Sequence, residues 1–464
     1  MKILKWISII LVALVSLPIL LFAVIYIGGS FVSYQYPEEI LEIDSTMLVK
    51  NEDVIRYADN SLRKNKYGIW EMYLEGRPEE RGVAYGAMAK DLIRYQEKTF
   101  IDKIQSLIPS GTYLNFLRRV VMFANRSIDE YIPEEVRSEV YNMSQVCSSE
   151  YDQLVGDAYS RQLNYHAAHD IGHAMQQYML VGCSAFSAWD KYALDSTMIV
   201  GRNFDFYFGE EFAHNKMIVF TNPTEGIPFV SVSWPAMMGV VSGMNMEGIT
   251  VTLNAAEGEL SIIGKTPVSV LARQIVQYAT SIDEAIAIAE QTETFVSEQI
   301  FVCSAKERKA LIIEKSPKDM SVIINEDGIV SLTNHYTSGQ WQIEPREESV
   351  VRLSRLEQLL HRVGEIDEKK ALEILRDYRD NDENPLPIGS EKALCQFISH
   401  HSVIFKPDSL QMWVSTAPWQ LGDYVCYDLK KIIEQRGEVS DYTLPQMTLP
   451  ADSIMIKMYN DKNK

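Results

Sequence analysis

Gly182-Cys183-Ser184-Ala185-Phe186-Ser187-Ala188-Trp189, followed across residues 190–196 by Thr197-Met198-Ile199-Val200-Gly201-Arg202-Asn203-Phe204-Asp205-Phe206, is the stretch on which the reading of the fold turns. Runs of β-branched, aromatic and small residues flank a polar connection, the pattern of two antiparallel strands joined by a loop. Such pairing brings Arg202 and Asp205 near Cys183. A thiol reacts as its thiolate, and an unperturbed cysteine is mostly protonated at neutral pH. A neighbouring cation favours the thiolate, and a carboxylate orients a nearby amine or holds it as ammonium. Gly182 admits a further step. If the Gly182–Cys183 peptide opens, the freed α-amino group lies beside its own sulfur and can serve as general base, since such an amine titrates near pH ~8. Cys183 is therefore the candidate nucleophile.

Gly-Cys-Ser at 182–184 with Gly-Arg-Asn-Phe-Asp-Phe at 201–206 resembles the N-terminal-nucleophile hydrolases of the choloylglycine hydrolase and isopenicillin-N acyltransferase (peptidase C45) type. Three later stretches match in order: Gly243-Met244-Asn245-Met246-Glu247-Gly248 running into Leu253-Asn254, then Leu332-Thr333-Asn334-His335, then Ser349-Val350-Val351-Arg352. The resemblance implies an α+β fold, a four-layer αββα sandwich, whose cysteine becomes the first residue of the catalytic chain by self-cleavage between Gly182 and Cys183. It implies a catalytic set of Cys183, Arg202, Asp205, Asn254, Asn334 and Arg352. In that set Asn254 stabilises the oxyanion, Asn334 helps to bind the substrate amide, and Arg352 supports the carboxylate or the amine. The implied reaction is hydrolysis of a small-molecule, linear, non-peptide N-acyl amide through a thioester, with no cofactor and no metal. Acyl transfer and a non-catalytic binding role on the same fold are the alternatives. Taken alone, Asn254 ahead of Ala255-Ala256-Glu257-Gly258 reads as an asparagine fixing a turn. Arg352 alone reads as half of a helix-surface salt bridge, and Arg355 is expected in solvent.

At 464 residues, 46% hydrophobic, the chain can bury a substantial core. Its formal charge of -19 argues against nucleic acid or an anionic membrane surface as the main partner. The cysteines, Cys147, Cys183, Cys303, Cys395 and Cys426, show neither CxxC nor metal-ligand spacing. HExxH and GxSxG are absent, and the glycine spacing before Gly264-Lys265-Thr266 does not fit a phosphate loop.

Lys2 and Lys5 precede an uncharged apolar run at 6–27, long enough to cross a bilayer core as a helix. The run exceeds a usual signal-peptide core and Gly28-Gly29-Ser30 is a poor cleavage site, which favours an uncleaved anchor over residues 1–30, with a cleaved signal as the alternative. The lysines place the rest of the chain outside the cytoplasm. Residues 31–182 read as a linker and a mostly helical prosegment, with no sustained period over 32–70 and helical periodicity over 72–177. His166, His169 and His173 share a helical spacing but lack the usual zinc pattern, and are expected as hydrogen-bonded structural residues. Residues 183–464 form the expected catalytic domain. Its strands are expected at 217–221, 229–234, 239–244, 249–254, 300–304, 310–314, 321–324, 329–333, 402–405, 411–415 and 424–427. Thr266-Pro267 and Ser281-Ile282-Asp283-Glu284 open two helices, further helices lie at 349 onward and 368–378, and a loosely held tail is expected past Gly437.

Overall fold

The computed structural model describes residues 6, 16–17, 20–167, 180–261 and 263–462. Its larger sheet has eleven strands: β1 (Leu48–Lys50), β2 (Val54–Tyr57), β3 (Asn60–Lys64), β4 (Trp70–Gly76), β9 (Met217–Pro223), β10 (Phe229–Ser233), β11 (Ser242–Asn245), β12 (Ile249–Leu260), β13 (Val296–Ser304), β14 (Lys309–Lys315) and β15 (Met320–Asn325), neighbours in that order. The second has six, ordered β16 (Ile329–Leu332), β6 (Ser184–Ala188), β7 (Ile199–Phe204), β17 (His401–Lys406), β18 (Gln411–Ser415) and β19 (Tyr424–Asp428). A short pair, β5 (Leu180–Val181) with β8 (Phe206–Tyr207), continues the β6–β7 hairpin.

Period-two alternation decides what each strand touches. In β13, Phe301 and Cys303 face the six-stranded sheet, meeting Val403, Phe405, Val414 and Val425 in one core. Ile300 and Val302 on the other face pack with Leu271, Ile275 and Ile282, from the helices Val268–Tyr278 and Ile282–Gln291. In the six-stranded sheet Phe186, Ile199 and Ile404 turn outward onto Leu356, Leu360 and Leu372, from the helices Glu347–Arg362 and Glu368–Leu375. The chain is thus α+β, with helices, two facing sheets and helices in succession. Both faces of each sheet being covered is why many strands read as unbroken apolar runs rather than as alternation.

Three expectations need correction. Residues 48–64, where no period is visible, hold β1–β3, which are short and carry Lys50, Arg56, Arg63 and Lys64, and β4 at Trp70–Gly76 takes in the start of the stretch expected to be helical from residue 72. The last of them pairs in parallel with β9, from Trp70 opposite Met217 to Gly76 opposite Pro223. Upstream residues therefore share a sheet with the region after Cys183. Arg355 is fully buried, held by both Asp377 oxygens at 2.9 Å, so it is an internal ion pair and not a solvated side chain. Past Gly437, Tyr442, Leu449 and Met455 are buried and the Arg63 guanidinium lies 3.5 Å over the Tyr442 ring, so this end packs firmly. Isolated apolar residues in a polar stretch gave no period to signal it.

Half of the apolar run at 6–27 lies outside the described residues, as do His169 and His173. Among the described residues no helix is long and apolar enough to cross a membrane. The described end of the run packs on the helix Gly111–Ala124, with Phe22 stacked on Phe116 at 5.1 Å and Arg119 over Tyr26 at 4.1 Å. His166 is an internal hydrogen-bonded residue. Its Nε2 accepts from the Met238 N–H at 2.9 Å, leaving Nδ1 to donate to the Gln162 carbonyl at 2.8 Å.

Helices upstream of Cys183 are locked to the catalytic region by charge. Glu139 accepts from Arg81 at 2.8 Å and from Arg273 at 2.7 Å, and all three are buried. Removing the shared carboxylate strands two buried cations, with only Glu135 left nearby. Glu139→Ala is expected to lose ~3 kcal/mol or more of stability, read from the denaturant midpoint. An unchanged midpoint would mean that the arginines find other partners.

Candidate active site around Cys183

Two ladders with one register build the site. Ser184 lies opposite Asn203 in β6–β7 and Val181 opposite Phe206 in β5–β8, so Gly182 falls opposite Asp205 and Cys183 opposite Phe204. The Gly182 N–H donates to the Asp205 carbonyl at 2.9 Å, as that register requires. Residues diagonal across an antiparallel pair share a face, which puts Arg202 on the Cys183 side and Asp205 on the other. Gly201 is required here: a Cβ would lie 2.4 Å from the Phe186 ring across the strand.

Arg202 is fully buried, with its Nη2 donating to Cys183 Sγ at 3.7 Å. The guanidinium also donates to the Val241 and Leu253 carbonyls and to Ser242 Oγ. Ser242 Oγ is in turn 2.8 Å from His401 Nε2, so the arginine is fixed from the larger sheet as well as from its own. Burial pushes the Cys183 thiol up to about 11, with Arg202 pulling down against it and Asp205 adding to the rise. The cation read from sequence is in place, yet in the uncut chain desolvation outweighs it and the sulfur stays protonated.

Asp205 is fully buried. Gln420 donates to its Oδ1 at 3.1 Å, and among the described residues Oδ2 has no hydrogen-bond partner. Burial raises this carboxyl to about 7, against the Arg352 charge, which favours the carboxylate. The folded uncut chain therefore holds a proton between about pH 4 and 7 that the unfolded chain has released, and this group makes stability fall as pH rises through that window. In the Cys183→Ala background, Asp205→Asn is expected to remove up to ~1.4 kcal/mol per pH unit of that slope. Parallel unfolding curves across that range would show the carboxyl to be ordinary.

Asn254 lies within β12, which continues to Leu260 and does not end in a turn at 254 as expected; it is wholly buried, and among the described residues neither its Nδ2 nor its Oδ1 has a hydrogen-bond partner. It follows Leu253, whose carbonyl the Arg202 guanidinium holds. Buried amides are rarely left unpaired, and this one stands next in the chain to the carbonyl that holds Arg202. Asn334 differs. Its Nδ2 donates to the Ala255 carbonyl at 2.8 Å and its Oδ1 accepts from Arg352 at 2.6 Å, so it braces the middle of β12 against the helix Glu347–Arg362. Arg352 is buried and also donates to the Glu391 carbonyl. The predicted residues thus form one connected group: Cys183 with Arg202, Arg202 with the Asn254 strand, and Asn334 and Arg352 together beside Asp205.

Sequence reasoning missed three supports. Asn203 donates to the Leu375 and Leu394 carbonyls at 2.8 Å each. Ser242 and His401 orient Arg202, and Gln396 reaches the Gly182 carbonyl at 3.3 Å. Asn203 sits inside the quoted motif and could have been flagged, whereas Gln396 lies in an aperiodic connection with no signal of its own.

Residues 193–417 match the family described as acyl-coenzyme A:6-aminopenicillanic acid acyl-transferase. That span takes in Arg202, Asp205, Asn254, Asn334 and Arg352 and begins downstream of Cys183. An uncharacterised protein of Archaeoglobus fulgidus is 24% identical over 405 residues, 76% of this chain, and the chain spans 65% of that relative's length. The N-acylethanolamine-hydrolyzing acid amidase of Caenorhabditis elegans is 21% identical over 318 residues, 66% of this chain and 83% of that protein. A solved variant of the conjugated bile acid hydrolase of Clostridium perfringens aligns over 56% of this chain and 96% of its own, at 12% identity and a TM-score of 0.39. The resemblance read from the sequence holds to this extent: residues 193–417 match the model of that acyl-transferase family.

Proposed function

We propose that the chain is a cysteine amidohydrolase that opens its own Gly182–Cys183 peptide and then cleaves a linear N-acyl amide outside the cytoplasm, tethered by its apolar N-terminal segment. The observation that carries this is the single register that lays Gly182–Cys183 across Phe204 and Asp205 with Arg202 on the sulfur. The named relative from Caenorhabditis elegans, an amidase by its description, favours the same bond class.

The new α-amine of Cys183 takes the thiol proton, and the sulfur attacks the substrate carbonyl. Asn254 Nδ2 donates to the oxyanion. Collapse expels the leaving amine, which receives the proton from the Cys183 ammonium, and leaves a thioester. Water, deprotonated by the same amine, then adds to the thioester and releases the acid and the thiol. Arg202 holds the sulfur side and Asp205 the amine side of this exchange. Asn334 and Arg352 keep β12 in place beside Asn254.

The description of the matching family favours a second outcome, in which an amine replaces water as acceptor. N-terminal sequencing of the purified protein tests the first step and is expected to find a fragment beginning at Cys183. Assays with simple N-acyl amides, and with acyl-coenzyme A plus an amine, then divide hydrolysis from transfer. A single intact chain that binds an amide without turning it over would favour the non-catalytic alternative.

A further inference from the structure

We propose that Gln396 is a catalytic residue of the self-cleavage step: its side-chain amide polarises the Gly182 carbonyl and holds the oxyanion formed there. The proposal rests on the self-processing reading above and adds the group that the reaction needs on the carbonyl oxygen.

The Gln396 side chain is 2% exposed, and its Nε2 donates to Gly182 O at 3.3 Å. The approach is close enough to dictate the residue before the sulfur. A Cβ on Gly182 would lie 2.3 Å from Gln396 Nε2 and 2.8 Å from its Oε1, so only glycine admits the amide to this position. The donor is also oriented from behind. Its second N–H points to the Glu391 carbonyl at 3.4 Å, which Arg352 also engages. The connection between Glu391 and Gln396 is pinned to β7 by Asn203 on the Leu394 carbonyl at 2.8 Å, and to the helical layer by the Cys395 N–H on the Asp377 carbonyl at 2.9 Å. A buried amide on a pinned connection, its nitrogen shared between the Glu391 and the scissile carbonyls, costs little reorganisation when charge develops on the oxygen.

In the step, Cys183 Sγ bonds to the Gly182 carbonyl carbon and the carbonyl π pair moves onto oxygen, where Gln396 donates. The carbon–nitrogen bond then breaks, and the thiol proton ends on the Cys183 nitrogen, leaving a Gly182–sulfur ester. Water adds to that ester, its hydroxyl staying on Gly182 as the carboxylic acid and its other hydrogen returning to the sulfur. Asn254 serves substrate carbonyls on the downstream side, so the two oxyanion donors divide the two reactions.

The test follows uncut and cut full-length chain with time on denaturing gels, after cell-free synthesis in detergent micelles. Gln396→Met, which keeps the bulk and removes the donor, is expected to slow cleavage by ~10²-fold, the usual loss for one oxyanion donor. Gln396→Glu cannot donate as a carboxylate but can as the acid, so its rate relative to Gln396→Met is expected to climb as pH falls. A packing role alone would not produce that rise. Thermal unfolding of Cys183→Ala with and without Gln396→Met reads any folding cost separately. Cleavage of Gln396→Met at the unmodified rate, or slowing matched in Gln396→Glu at every pH, overturns the assignment of Gln396. Absence of a cut at Cys183 in the unmodified chain overturns self-processing and this assignment with it.

Discussion

Cys183→Ala is expected to give one uncut chain and to lose amide hydrolysis by ~10⁴-fold or more, the scale found when a nucleophile that acts as part of a unit is removed. Both losses come from one atom. In the proposed mechanism the sulfur attacks the Gly182 carbonyl once and substrate carbonyls thereafter, and the amine base for the second reaction exists only after the first. Folding should survive, because the replacement deletes one buried sulfur and leaves the hydrogen-bonded backbone of the hairpin untouched. Denaturing electrophoresis, a hydrolysis assay and a melting curve on the same preparation read the three quantities together. Two fragments from Cys183→Ala would assign the cut to another protease. Undiminished hydrolysis would move the nucleophile away from Cys183 and end the proposed mechanism.

How much of this was legible in the sequence depends on the range of each signal. The β6–β7 hairpin carries its own turn and its own register, so the approach of Arg202 and Asp205 to Cys183 follows from residues 182–206 alone. The Ser281 N-cap is equally local, accepting from the Glu284 N–H at 3.2 Å. Energetic balance was not legible. A cation beside a thiol predicts a thiolate, but burial of the pair reverses the outcome in the uncut chain, and burial belongs to the assembled layers. Arg355 failed for the same reason, since its partners Asp377 and Glu383 lie 22 and 28 positions away and no helical spacing reveals them. β1–β3 escaped because strands of three to five residues are shorter than the window in which a period can be counted. Asn334 shows the limit of a motif: the position was marked, but only the contacts on both ends of its amide show that it braces Arg352 and β12.

Asn254 separates activity from stability most sharply. Asn254→Ala is expected to lower kcat for amide hydrolysis by ~10²–10³-fold, about 3–4 kcal/mol of transition-state stabilisation, with a smaller effect on KM. The same change should leave the chain as stable as before or more so. An amide buried at 0% exposure with neither end hydrogen-bonded among the described residues is a cost to the folded state, and alanine removes it. A structural asparagine behaves in the opposite way, as Asn334→Ala should: cutting the link from Arg352 to the Ala255 carbonyl loses stability along with activity. The pair of measurements, kcat and the denaturant midpoint on both variants, therefore distinguishes a donor held for the transition state from a residue that only supports the strand. If Asn254→Ala were to lose stability and keep its kcat, the asparagine would be a structural residue of β12.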